Sequence, residues 1–121
     1  MANEVSYRVE LEFNDAAGKP RMFSGTKQVT LDPASVFAFN KVSVGTSAEA
    51  IALGDVSTPS LIIAHNHDET NYVEIGHDVS AAFEADVKLL AGDWCLFRCA
   101  QGAPQMRANT GACIVSYLVL E

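Results

Sequence analysis

The chain reads as all-β: an antiparallel, jelly-roll-like β-sandwich forming a single domain over residues 1–121. Three observations predict this. Val5, Tyr7, Val9, Leu11 and Phe13 alternate with Ser6, Arg8, Glu10 and Glu12. Val79, Ala81, Phe83, Ala85, Val87 and Leu89 alternate with Ser80, Glu84, Asp86 and Lys88 in the same way. Successive strand side chains point to opposite faces, so both runs predict strands with one face on a core and one on water. Finally, short apolar runs follow one another through the second half, separated by Gly- or Asp-bearing connections, as in sandwiches, jelly rolls and barrels.

Taken in order, the first strand spans Val5–Phe13 and ends in Asn14-Asp15-Ala16-Ala17-Gly18-Lys19-Pro20, a turn composition. A second strand lies within Met22–Leu31, closed by Asp32-Pro33, and Ser35–Val44 supplies one or two more. Thr46–Leu53 is ambiguous, because Ala48, Glu49 and Ala50 favour helix but the segment is short for one. Gly54–Ser60 is a loop. Strands are then expected at Leu61–His65, Asn71–Ile75, Val79–Leu89, Trp94–Cys99, Gln105–Ala108 and Cys113–Leu120. The strand entered at Asn71 is expected to pair with Leu61–His65. In the last strand Cys113, Val115, Tyr117 and Val119 share one face, while Ile114, Leu118 and Leu120 crowd the other. A strand apolar on both faces is central in a sandwich or lies beneath a subunit contact.

A chain of 121 residues can bury a core without metal or disulfide staples, and 49% hydrophobic with 19% charged residues suits a folded domain. No apolar run reaches the roughly 18–20 residues of a membrane-spanning helix, and no membrane partner is expected. Met1–Val5 shows no secretory leader, so folding in a cytoplasm is the expectation. The net charge is −7, with seven acids against Lys88 alone between His65 and Asp93. That sign repels a phosphate backbone, so nucleic acid is not an expected partner, and the acids are expected on a solvated face. Cys95 and Cys99 lie on one face of a strand about 13 Å apart, too far to bond, though either meets Cys113 if their strands are neighbours. Three cysteines in a cytoplasmic chain are expected to be thiols acting as apolar fillers.

His65, His67 and His77 are the metal-site candidates. Two histidines at i and i+2 on a strand share a face, as in cupin-type sites, which makes a cupin-like metal enzyme or small-ligand binder the alternative of a different class. Glu69 and Glu74 fall at the wrong intervals for that pattern, and no histidine follows His77, so no metal and no cofactor is expected. His65-Asn66-His67 matches the letters of a nuclease motif without its ββα context. No Gly-x-Ser-x-Gly elbow exists, nothing orients Cys95 toward His77, and Gly102 and Gly111 are spaced for turns. Trp94 is expected to pack in the core or an interface. No enzymatic activity is expected.

The second half resembles a known family. Thr70-Asn71-Tyr72-Val73-Glu74-Ile75-Gly76, Leu89-Leu90-Ala91-Gly92-Asp93, Leu96-Phe97-Arg98, Arg107-Ala108-Asn109-Thr110 and Tyr117-Leu118 occur in this order. Together with Asn66 and Asp68, they are similar to small all-β virion proteins from the structural gene clusters of tailed bacteriophages, head decoration or cement proteins among them. The resemblance covers about residues 61–121; His65 and His67 fall where its pattern is not histidine. It implies a virion protein that binds the major capsid protein or another virion protein, and by analogy a homo-oligomer, a trimer being favoured. A neck, tail or fibre-base component carries the same signals. Phe37, Ile114, Leu118 and Leu120 are the candidate interface residues, with asparagine and aspartate in the 66–71 loop closing side-chain turns.

Overall fold

A computed structural model describes residues 3–31, 37–100 and 103–121. Asp32-Pro33, the start of the segment expected from Ser35, and Gly102 lie outside the described residues. The chain divides into two compact units, Met1–Ser35 and Val36–Glu121.

The first unit is a hairpin of β1 (Asn3–Asn14) and β2 (Pro20–Leu31), paired in unbroken antiparallel register from Asn3↔Leu31 to Asn14↔Pro20. Its turn is set by Asp15, whose Oδ1 accepts from the Ala17 and Lys19 amides at 2.9 Å, while Gly18 takes φ 77°. These backbone donors, that of Lys19 foremost, hold the Asp15 carboxyl below its ordinary value, with Arg21 adding to the effect. The alternation predicts a buried face for β1. Within this sheet, however, Val9, Leu11, Phe13 and Phe23 are about half or more exposed, because two strands alone have nothing to close over them.

The second unit is the sandwich. Its strands are β3 (Phe37–Val44), β4 (Glu49–Ala50), β5 (Leu61–Asn66), β6 (Val73–Val79), β7 (Ala82–Leu89), β8 (Trp94–Arg98), β9 (Gln105–Ala108) and β10 (Cys113–Leu120). They form two four-stranded antiparallel sheets, in the orders β3-β10-β5-β8 and β4-β9-β6-β7. The pairs β6·β7, β5·β8, β4·β9 and β3·β10 nest one inside another, which is the rolled-up hairpin of a jelly roll. Between the sheets lies a core of Ile62, Ala64, Val73, Ile75, Leu89, Met106, Val115, Tyr117 and Val119 among others. As alternation predicts, Cys113, Val115, Tyr117 and Val119 are the buried side of β10.

The structure corrects several expectations. The strand after Asn71 does not pair with Leu61–Asn66. It crosses to the other sheet and pairs with β7 and β9, while β5 sits between β10 and β8. Residues 79–89 are not one strand. Ser80 and Ala81, with φ 51° and 68°, turn the chain between β6 and β7, a two-residue hairpin turn built without glycine. The pairing then slips: Ile75 faces Val87 but Gly76 faces Ala85, leaving Asp86 as an extra residue. A bulge reverses which face each later residue meets. Phe83 is therefore not in line with Val87 and lies under the Arg107 guanidinium, 4.5 Å from its ring centre. Thr46–Leu53 holds only the two-residue β4, followed by the buried Ile51 and by Ala52, whose amide and carbonyl both bond the Tyr117 hydroxyl at 3.1 Å. No helix of the described residues is long and apolar enough to cross a membrane.

Candidate interaction face

Outward-facing side chains of the β3-β10-β5-β8 sheet follow from its register. Leu118 lies opposite Phe39 and Ile63, Ser116 opposite Lys41 and His65, and His65 opposite Trp94. Phe37, Phe39 and Trp94 are each about two-thirds exposed, Ile114 is exposed at 43%, and Leu118, Leu120, Ile63 and Leu96 are half-buried. All four residues singled out from sequence, Phe37, Ile114, Leu118 and Leu120, thus lie on this one face. The described positions on it include Lys41 and Arg98 but no carboxylate, in a chain of net charge −7.

At its centre is a cleft of about 470 Å³ lined by Phe39, Ile63, His65, His67, Trp94 and Leu118. Trp94 is not a core residue. Its indole stacks on the His65 ring at 4.0 Å and 6°, and the His67 ring sits 4.1 Å from His65, tilted by 58°. His67 Nε2 is 2.8 Å from the Ser116 hydroxyl. Desolvation, then the neighbouring His65 and Lys41 charges, lower the His67 pKa from its ordinary 6.5. The unfolded chain therefore takes up this proton first on acidification. The group's contribution to stability holds above 6.5 and is lost as pH falls below it. An NMR titration should place the His67 midpoint below 6.5, and Lys41→Ala should move it upward. No movement would mean that Lys41 does not act on this ring.

The three histidines are not one site. His77 lies in the other sheet, its Nδ1 2.7 Å from Asp86 Oδ2. Among the described residues no group of three or more His, Cys, Asp or Glu side chains could hold a metal ion. The cysteines are thiols. β5 separates β8, which holds Cys95, from β10, which holds Cys113. Burial pushes the Cys95 thiol up to about 11, with Asp93 raising it further against an Ala64 backbone hydrogen bond. Burial also raises Cys113, whose Sγ lies 3.6 Å from the Gly111 carbonyl.

Some of the residues that carry the sequence resemblance, those of 66–72, 89–93 and 109–110, gather at one corner of the sandwich, whereas Leu96–Arg98 and Tyr117-Leu118 lie along β8 and β10. Asn66 is fully buried, and its Nδ2 donates to the carbonyls of Asn71, Leu89 and Leu90 at 3.0–3.2 Å. Its Oδ1 accepts from the Asp68 amide at 3.0 Å, and Asp68 Oδ2 in turn accepts from the amides of Thr70 and Asn71. These donors, led by the Asn71 amide, hold the Asp68 carboxyl below its ordinary value. Thr110 donates to Asn71 Oδ1 and the Tyr72 amide to Asn109 Oδ1, while Asp93 Oδ2 accepts from the Leu90 amide. The side-chain turns expected at 66–71 are therefore present. Of the seven acids expected on a solvated face, Asp68 and Asp93 are turn acceptors and Glu74 is bonded to Arg107 at 3.1 Å. Glu69, Asp78, Glu84 and Asp86 are exposed.

Ile63 and Leu96 were not singled out from sequence, while Trp94 was expected in the core or an interface and Phe39 lies in the Val36–Val44 contact region; only strand pairing shows that all four flank Leu118. The sequence signal that could have found them is the doubly apolar Leu61–Ala64 run beside the exposed Trp94. Fold and face together define an antiparallel jelly roll with one apolar, carboxylate-free sheet surface. Compared with protein-family models, curated proteins and solved structures, the chain matches none.

Proposed function

We propose that this protein is a bacteriophage virion component, a capsid decoration protein that docks on the assembled shell through the outer face of the β3-β10-β5-β8 sheet. One observation carries the reading: a two-thirds-exposed Phe37, Phe39 and Trp94 on a face free of carboxylates, in an otherwise acidic molecule. The resemblance of residues 61–121 to phage virion proteins supports a virion protein as the partner, in this reading the major capsid protein. Binding only the assembled shell would stabilise it by mass action, since the free subunits gain nothing. Four strands about 4.8 Å apart and five to eight residues long give a face of roughly 400 Å². That is below the ~800 Å² per partner of a standard interface, so one copy holds weakly and several linked copies hold by avidity. A homo-oligomer, a trimer by analogy, fits this requirement, and the exposed acids of the opposite sheet would face solvent.

Phe37→Glu and Phe39→Glu, both at exposed sites, should leave the fold intact and weaken co-sedimentation with purified shells at least tenfold. Glu84→Lys on the other sheet should not. Unchanged binding by both folded phenylalanine variants would refute this placement, and antibody label on the neck or tail of virions would refute the capsid assignment.

A further inference from the structure

Strand register lays the outward side chains of the β3-β10-β5-β8 sheet in rows. One row, Phe39, Leu118, Ile63 and Leu96, is wholly apolar. The next, two residues along each strand, is Lys41, Ser116, His65 and Trp94. His67, just past the end of β5, joins this second row: its ring lies 4.1 Å from His65 and its Nε2 2.8 Å from the Ser116 hydroxyl. The cleft of about 470 Å³ is lined from both rows. Three side chains able to carry positive charge thus meet on a face whose described positions include no carboxylate. The charges acting on His67 are those of His65 on β5 and Lys41 on β3, both of one sign, while β10 presents Ser116 and β8 presents Trp94. The acids next to them in sequence are engaged elsewhere: Asp68 Oδ2 accepts from the Thr70 and Asn71 amides, and Asp93 Oδ2 from the Leu90 amide. Like charges gathered in this way oppose one another until an anion answers them.

We propose that the Lys41–Ser116–His65 row with His67 is a carboxylate site, taking an Asp or Glu side chain of the docking partner whose apolar neighbour fills the cleft against Phe39 and Leu118. The inference rests on the docking reading above and states what the partner must bring. The two rows are about 7 Å apart, the spacing of side chains at i and i+2 on an extended segment, so an apolar residue and an acid separated by one position match them. A protonated His67 donates from both ring nitrogens, Nε2 to Ser116 and Nδ1 to the incoming carboxylate. The partner's carboxylate stays ionised down to about pH 5, so an imidazolium and a carboxylate coexist on the acid side of neutrality. Docking therefore takes up a proton, and affinity rises as pH falls. A purely apolar contact gives the opposite sign, because protonation would then leave an unanswered charge in the interface.

Co-sedimentation isotherms of the full-length protein with purified shells, at about pH 8 and about pH 5.5, test this. Wild-type binding should tighten roughly threefold to tenfold at the lower pH. His67→Gln keeps a hydrogen-bonding group beside Ser116 but cannot titrate, so it should lose that gain while binding like wild type at the higher pH. The difference between these two proteins removes any titration of the shell itself. Lys41→Ala, at an exposed site, should weaken binding about threefold or more at both pH values. Circular dichroism at each pH checks that all three proteins are folded. Wild-type binding that weakens on acidification, an equal pH response in wild type and His67→Gln, or an unchanged Lys41→Ala would overturn the carboxylate site and leave the docking face standing. A folded wild type that binds shells at neither pH would overturn the docking reading and the carboxylate site together.

Discussion

Gly76→Ala should destabilise the sandwich by roughly 3–5 kcal/mol, enough to leave a domain of ordinary stability barely folded. At the bulge, β7 passes so close that a Cβ on Gly76 would overlap the Glu84 carbonyl oxygen and stand 2.9 Å from Ala85 Cα. The obstacles are backbone atoms, so no rotamer change relieves them. Urea denaturation compares this variant with Gly25→Ala, where nothing lies within 4 Å of the new methyl group and little change is expected. A loss below about 1 kcal/mol at Gly76 would mean the bulge slides to make room, and the argument from close approach would be wrong.

Asn66→Ala should cost about 3 kcal/mol, read as a fall in melting temperature of some 12–24 °C for a unit of this size. The amide of Asn66 is fully buried and bonds three carbonyls and one amide, tying 66–71 to the turn after β7. The Leu90 carbonyl keeps the Asp93 amide as a partner, so the penalty falls mainly on the buried carbonyls of Asn71 and Leu89 and on the Asp68 amide. Asn66→Asp has almost the same shape but sets an acceptor against acceptors. Its carboxyl would be pushed up in the folded state, so the variant should be least stable at neutral pH and recover in part on acidification. A variant as stable as wild type at pH 7 would show that the amide donors are dispensable.

Much of the fold was legible because strand alternation is a local signal. The double-sided character of β10 marked its outward residues before any pairing was known, and the run from Val5 marked β1. What stayed hidden depends on relations between strands. The Ser80–Ala81 turn carries neither glycine nor asparagine, so no composition signal interrupts the alternation there. The bulge at Asp86 inserts one residue into the pairing and is invisible in a single strand's pattern. The partner of β6 lies in the opposite sheet because residues 67–72 cross the sandwich, and nothing in that loop's composition distinguishes a crossing from a hairpin. The face was half legible for the same reason: Leu118 could be read as outward, but Trp94 and Phe39 join it only through β5 and β3.

The nested order of strands also dictates a sequence of events in time. β6 and β7 are joined by a two-residue turn and can close within microseconds, whereas the Val44↔Cys113 pair must bring together residues 69 positions apart. β10, which bridges β3 and β5, is therefore among the last strands to settle. Until it does, the aromatic residues of β3 and the apolar edge of β5 belong to no finished sheet. A newly made chain is thus most prone to aggregate in the interval just before the outer face of the β3-β10-β5-β8 sheet exists at all.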